Sequence, residues 1–455
     1  MAVGTGAYDG GYSYDGELLI FELWSGRSTS VLRWPREILR VEWAGERAVR
    51  LLLAPNSDFP DGEYDEKAYR TAFSAVVERP DWTAVAADSV DNDELGGVRI
   101  DFSRPATELL TDQAASALAG LTGRRFESHL HVWDVQLLPD GRVLACADGV
   151  LAESWLPDGQ LEWRIPDEEG GRQIAVRDGQ LDAWVNAERR VRWIHDERGA
   201  AEPILVRISL ADGKQLDTLP LESSVVFTTR EDGWLALRPT EHERKADWVA
   251  LIEPSAHSPE IRFPLGSFDL FNHPFPIRRS SRLLFLQGND NAAPWQDKRV
   301  VSIDPTDCDD ERSVRELFPL EWDSERAGHL FGGPGIEIDS PGNKDLVHAG
   351  AVHNGAGLLP GNAFVVRRNG ADGAARWVFT ADFPVTALDG DENTIYAAFN
   401  SGELVAIRTS DGTVRWRQHL EVDRQGVVPL SLTLAAPGRL LIGTVDGRIL
   451  DCAVE

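Results

Sequence analysis

Apolar residues in this chain fall in short runs closed off by Gly, Asp, Asn or Pro, and stretches with helical spacing are scarce. Runs such as VLACA from Val143, LVAI from Leu404 and LLIGT from Leu440 are short and bounded by turn residues, which predicts strands rather than helices. The chain therefore reads as all-β.

Three segments repeat one pattern: VLAESWLPDGQLEWR from Val150, FVVRRNGADGAARWV from Phe364 and LVAIRTSDGTVRWRQ from Leu404. Each is an apolar strand, a tight turn at Asp158-Gly159, Asp372-Gly373 or Asp411-Gly412, and a second strand with Trp163, Trp377 or Trp416 four residues after the glycine. Asp-Gly suits the positive φ of a two-residue hairpin turn, and a tryptophan at one fixed place per repeat reads as packing between sheets. Weaker copies begin at Glu17, Ile204, Trp248 and Arg299, and a second hairpin precedes several of them, as in IYAAFNSGELVAI from Ile395. Four successive strands repeating at about 40 to 50 residues are the signature of propeller blades.

This unit resembles the repeat of quinoprotein-like and WD40-like β-propellers, clearly over residues 384–455, in part over 130–221 and in topology elsewhere. The resemblance implies one closed β-propeller over residues 1–455, built of four-stranded antiparallel blades. Residues 57–127 interrupt the repeat as an insertion or a degenerate blade, so seven blades are expected, or eight if a blade lies there. Within that stretch EKAYRTAFSAVVERPDW and TELLTDQAASALAGLTG suit short helices, while FSAVVE and WTAVAA suit strands. Pairing the N- and C-terminal strands in one shared blade would remove the exposed edges.

Charge narrows the partners. With 46 Lys+Arg against 74 Asp+Glu, the net charge of −28 disfavours nucleic acid and anionic membrane surfaces. The first residues, MAVGTGAYDGGYSYDGELL, lack a basic region followed by an apolar one, so a cytoplasmic protein is expected. Cys146, Cys308 and Cys452 are isolated, unlike a disulfide framework or a zinc pattern, and read as small buried apolar groups. Arginine far outnumbers lysine, which suggests a bacterial genome rich in G and C.

The resemblance to quinoproteins raises a quinone cofactor with Ca²⁺, but no residue of that catalytic set carries over, and no cofactor is expected. His129 and His131 share a strand face without a third ligand in view. Asp91, Asp93 and Gly96 form an incomplete calcium loop, and Asp389, Asp391 and Glu392 read as turn residues. Nucleophile-elbow, zinc-helix, phosphate-loop and dinucleotide motifs are lacking. Residues 328–368 gather His348, His353, Asn354, Asn362, Arg367 and Arg368 among glycines, as ligand-binding candidates with His348 or His353 as acid/base; the alternative is a long irregular loop. The expected function is a non-enzymatic scaffold or recognition subunit holding another protein in a bacterial multi-protein system. The alternative is a small-ligand or catalytic funnel walled by residues 328–368, and a carbohydrate-binding surface would need exposed aromatics between blades.

Overall fold

A computed structural model of the chain describes residues 1–5, 16–32, 36–55, 71–102, 131–167, 169–176, 181–187, 203–221, 224–239, 248–254, 256, 259, 261–265, 275–278, 280–288, 298–305, 314–320, 329–354, 357–422 and 425–454. Strands carry the described structure, and helix is limited to the short 3-10 turns Trp82–Ala84 and Asn92–Leu95. Among the described residues no helix is long and apolar enough to cross a membrane. The chain divides into two compact units, Met1–Ser128 with Trp193–His195, and His129–Arg192 with Asp196–Glu455.

In the first unit, Ala2–Gly4, Leu18–Phe21 and Ser28–Ser30 form one antiparallel sheet. A second contains Ile38–Trp43, Ala48–Leu53, Thr71–Glu78 and Val98–Asp101. Leu18, Val49, Leu51, Leu53 and Trp82 lie in their shared core. Of the two readings of this stretch, helix for EKAYRTAFSAVVERPDW and strand for FSAVVE, the strand holds over Thr71–Glu78, because paired neighbours on both sides satisfy its backbone and bury Thr71, Ala72, Ala75 and Val77. WTAVAA opens as a 3-10 turn capped by Asp81, and residues 107–123 lie outside the described residues.

In the second unit, four-stranded antiparallel sheets span residues 132–166, 173–220, 225–264 and 385–419, and three-stranded sheets span 283–320 and 429–453. A five-stranded sheet contains His329–Ser340, Asn343–Asn354, Gly357–Arg368, Ala375–Ala381 and the short strand Ile277–Arg278. The hydrophobic clusters lie between neighbouring sheets: Leu144, Leu151, Val185 and Ile208 fill one such seam, and Val347, Val365, Leu388 and Val405 another.

The closed propeller of seven or eight four-stranded blades is therefore corrected. The described strands make separate sheets of two to five strands, none of which closes on itself. One sheet includes a parallel pair, Ile277–Arg278 beside His329–Ser340. The chain ends do not share a sheet either: Ala2–Gly4 pairs with Leu18–Phe21, while Ile449–Ala453 pairs with Arg439–Thr444. A local hairpin partner costs the first strand roughly 3 kcal/mol less loop-closure entropy than a partner at the far end of the chain.

The repeated hairpins form where expected, with a different turn. Gly159, Gly373 and Gly412 have φ of 81°, 74° and 75°, whereas positive φ outside glycine occurs among the described residues only at Asp88. The aspartates act instead through their carboxylates, which accept from the backbone N–H groups of Gln160, Ala374 and Thr413 at 3.0, 3.0 and 2.9 Å. Each turn closes with a bulge: Ser154 faces Trp163 but Trp155 faces Leu161, and the same slip recurs before Trp377 and Trp416. A bulge re-aims the side chain beside it. Two of these rings then meet a glycine of the following sheet, because a Cβ at Gly213 would lie 2.5 Å from Trp163 and one at Gly412 would lie 2.8 Å from Trp377. Phe318 takes the same role against Gly373, at 2.4 Å. Trp377 also donates its indole N–H to the Thr409 carbonyl at 2.8 Å.

These contacts separate two otherwise equivalent glycines. Gly159→Ala meets open space and bears only the left-handed backbone penalty, about 1 to 2 kcal/mol. Gly412→Ala adds a clash with Trp377, a further ~1–3 kcal/mol. Chemical denaturation of the two variants should rank Gly412→Ala as clearly the less stable; equal losses would remove the ring-on-glycine contact from the account.

Candidate functional site

The second unit holds a cavity of about 820 Å³. Its wall comes from the first strands of successive sheets: Trp133 on Val132–Leu137, Gln173 on Gln173–Val176, Val225 and Val226 on Val225–Thr229, Thr386 on Val385–Gly390 and Ser431 on Pro429–Ala436. Phe331 to Gly335 and Ala349 to Ala351 complete it from the five-stranded sheet. In a chain of net charge −28, the charged residues among the described lining are Arg172 and Arg278.

Both arginines are oriented by carboxylates. Arg172 lies 4.2 Å above the Trp133 ring and 2.9 Å from Asp148, which also accepts from the Trp133 indole at 2.7 Å. Arg278 reaches the buried Asp134 at 2.9 Å. Burial raises the Asp134 pKa, and the Arg278 guanidinium pulls it back.

Asp134 also fastens two sheets together, accepting from the Ile174 backbone N–H at 2.9 Å. Equivalent fasteners recur: Gln173 accepts from Phe227 N–H at 2.8 Å, and Asp389 from Leu434 N–H at 2.7 Å. Thr433 donates to the Val135 carbonyl at 2.6 Å, joining the 429–453 sheet to the 132–166 sheet. Asp389, read from the sequence as a turn residue, is instead buried on strand Val385–Gly390; Asp134, Gln173 and Thr433 were not singled out, and their trace is a polar group in an apolar strand, as in VWDVQL and LSLTLAA. The cavity hydroxyls are similarly occupied, Thr386 donating to the Pro429 carbonyl at 2.7 Å and Ser431 to Val132 at 3.3 Å.

Among the described residues, His348, Asn362, Arg367 and Arg368 do not line this cavity. The expected loop is instead three antiparallel strands of 12 residues each. His348 is buried, its Nδ1 2.9 Å from the Ala349 carbonyl, and its Nε2 accepts from Arg368 Nε at 3.1 Å. Burial, with the Arg368 charge beside it, pushes its pKa down to about 3, so the imidazole is neutral. Arg367 pairs with buried Asp345 at 2.7 Å and donates to the Thr409 carbonyl at 2.8 Å. Asn362 donates to the Val352 carbonyl at 3.2 Å. The side chains of His353 and Asn354 lie outside the described residues. What this stretch gives the cavity is Phe331 and Pro334 with small residues including Gly332, Gly333, Gly335 and Gly350.

The metal candidates resolve into local contacts. His131 Nδ1 lies 2.6 Å from Asp148, Glu94 binds Arg79 at 2.8 Å beside the Asp91 turn, and Asp391 caps Asn393 and Thr394 at 2.8 Å each. His129 and Cys308 lie outside the described residues. Among the described residues no group of three or more His, Cys, Asp or Glu forms a candidate metal site. Cys146 is buried, which pushes its thiol pKa well up, and Cys452 is half-buried.

No family model and no curated protein matches the sequence. A solved structure described as KlHsv2 with loop 6CD replaced by a Gly-Ser linker is similar at 7% identity, over 70% of this chain and 90% of that one, with a TM-score of 0.43.

The buried imidazole has a pH signature. Its folded pKa of about 3 lies below the ordinary 6.5, so the unfolded chain binds the extra proton first. The contribution of His348 is complete above about pH 6.5 and is lost as pH falls towards 3, by roughly 1.4 kcal/mol per unit. His348→Gln keeps an acceptor for Arg368 and cannot charge. Its stability measured between pH 6.5 and 4 should fall less steeply than that of the native chain, and parallel profiles would contradict the assignment.

Proposed function

We propose that the chain is a non-enzymatic recognition subunit that holds another protein in the bacterial cytosol, engaging it through the cavity of the second unit. The observation that carries this reading is the make-up of that cavity. Its described wall combines apolar side chains, glycines and two braced arginines, and lacks a carboxylate, histidine or cysteine. The hydroxyls of Thr386 and Ser431 are bonded to backbone carbonyls and so are poorly placed as nucleophiles. Rigid strands with a guanidinium held at a fixed angle suit recognition of a partner's carbonyl or carboxylate groups.

The catalytic alternative is weakened at His348, one of its two acid/base candidates, which is buried and hydrogen-bonded to Arg368 away from the cavity wall. The unpaired thiols Cys146 and Cys452 fit a reducing compartment. The net charge of −28 keeps nucleic acid and anionic membranes unfavourable as partners.

Leu430 borders the cavity and is only partly buried, so Leu430→Trp fills space without opening the core. In native-host lysate, the tagged native chain should retain a stoichiometric protein partner that Leu430→Trp loses, with the melting temperature of the variant within a few degrees of native. Retention of the same partner by a folded Leu430→Trp chain, or absence of any stoichiometric partner, would count against the proposal.

A further inference from the structure

The cavity of the second unit is uneven in its hydrogen-bonding groups. Several acceptors on its described wall are already in use. Asn186 Oδ1 accepts from the Gln173 N–H at 2.7 Å, the Val225 carbonyl from Asn186 Nδ2 at 2.6 Å, and the carbonyls of Pro276 and Pro384 from the N–H groups of Gly335 and Asn400 at 3.1 Å each. Gln173 Oε1 accepts from the Phe227 N–H at 2.8 Å, which leaves its NH2 as the unengaged end of the amide among the described residues. Thr386 and Ser431 have given their protons to backbone carbonyls, so each keeps a neutral hydroxyl oxygen suited to a peptide N–H.

Arg278 is the charged group with donors to spare. It gives one N–H to Asp134 at 2.9 Å and one to Thr433 Oγ1 at 3.4 Å, which leaves the rest of its N–H fork for a ligand. Its side chain is 29% exposed and borders the cavity, whereas Asp134 is buried and does not line it. Asp134 is moreover saturated, accepting also from Gln136 Nε2 at 3.1 Å and from the Ile174 N–H at 2.9 Å. Because Ile174 and Arg278 share this carboxylate, Gln173, one residue earlier, is brought close to the guanidinium. Arginine and acid nearly cancel as charges, so selection comes from donor direction at contact and not from a long-range field. At range the net charge of −28 repels an acid-rich tail. The group that fits is a single carboxylate among apolar residues, which match Trp133, Val226 and Phe331 of the wall.

We infer that the cavity takes a short segment of the partner that carries one carboxylate between apolar residues, held by the open N–H groups of Arg278 and by Gln173 Nε2. The carboxylate belongs to an acidic side chain or to a chain end, which present the same chemistry to the guanidinium. This assignment rests on the cavity being the partner's site and adds to it what the partner must present.

The test follows fluorescence anisotropy of fluorescein-labelled peptides on the full chain. One pair is Gly-Gly-Leu-Val-Glu-Val-Leu amide with its Gln twin, and the other is Gly-Gly-Leu-Val-Leu as free acid and as amide. In at least one pair the carboxylate form should bind at least roughly tenfold more tightly than its neutral twin, and the pair that discriminates tells a side chain from a chain end. Arg278→Gln with Asp134→Asn removes the ion pair without changing the net charge and should cut the preference to less than roughly twofold. Arg439→Gln with Asp451→Asn, an exposed pair outside the cavity wall, should leave it intact. Gln173→Glu does not depend on the first variant folding: it keeps an acceptor for Phe227 and should weaken the carboxylate form alone by roughly tenfold. Equal binding of the twins by the native chain, or a preference that survives in folded Arg278→Gln/Asp134→Asn or in folded Gln173→Glu, would overturn the assignment. Failure of every peptide to bind at millimolar concentration, while Leu430→Trp still sheds the lysate partner, would overturn the carboxylate and leave the cavity as the partner's site. A preference abolished by these cavity variants and by Leu430→Trp, in a chain that retains no lysate protein, would uphold the carboxylate site and overturn the protein-partner reading.

Discussion

The second unit depends on its seams. Each sheet there is small and open, and a few strands alone cannot bury enough apolar surface to stand in water. Stability has to come from what lies between one sheet and the next. Two devices recur at that boundary: an aromatic ring after a bulged turn presses on a glycine of the following sheet, and a polar side chain near the first strand grips the next backbone. The ring supplies dispersion and apolar burial, which are strong but have no direction. The grip of Asp134 on Ile174, Gln173 on Phe227 and Asp389 on Leu434 supplies direction. Together they fix spacing and register, because sliding a sheet by one residue would leave a carboxylate buried without its donor.

A local variation shows that the devices are coupled to their surroundings. Trp377 donates to the Thr409 carbonyl of the following turn. Trp163 packs against Gly213 in the same manner, but the nearby Leu210 carbonyl accepts instead from Arg142 at 2.6 Å. The Trp163 indole nitrogen is left without a hydrogen-bond partner. The ring contact therefore persists without its hydrogen bond, which argues that packing, and not the indole N–H, is the common element of the seam.

Much of this was legible in the sequence, and the limits have physical causes. Strand content and the Asp-Gly hairpins at 158–159, 372–373 and 411–412 follow from local chemistry, since a turn glycine and a short apolar run need little help from elsewhere. The tryptophan positions were legible as packing sites, although the glycine each ring meets lies about 35 to 50 residues onward, where no local signal announces it. Pairing of the chain ends was not legible, because strand propensity does not say which partner a strand takes, and loop entropy favours a near partner only modestly. Residues 71–78 show the same limit: TAFSAVVE tolerates a helix in isolation, and paired neighbours on both sides decide for strand. The described members of the candidate site, His348, Asn362, Arg367 and Arg368, lie inside the sheet, which was not legible for a related reason. Histidine, asparagine and arginine among glycines look alike whether they line a pocket or lie inside a three-stranded layer, and only their partners distinguish the two.

Those partners bear on function as well. Catalysis requires a group whose proton or lone pair is available to substrate, whereas several buried polar side chains among the described residues of the second unit are engaged within the fold. His348 accepts from Arg368, Asp345 receives both Arg367 and Arg376, and Glu337 receives Ser280, Ser281 and Arg282. Each engagement satisfies a buried polar group that would otherwise be costly. The cavity is left with surfaces that hold shape: apolar strands, glycines that admit close approach, and arginines braced from behind by Asp134 and Asp148. A wall of that kind discriminates by fit and by hydrogen-bond direction. The same fasteners that join the sheets thus also hold the described arginines of the cavity wall in place.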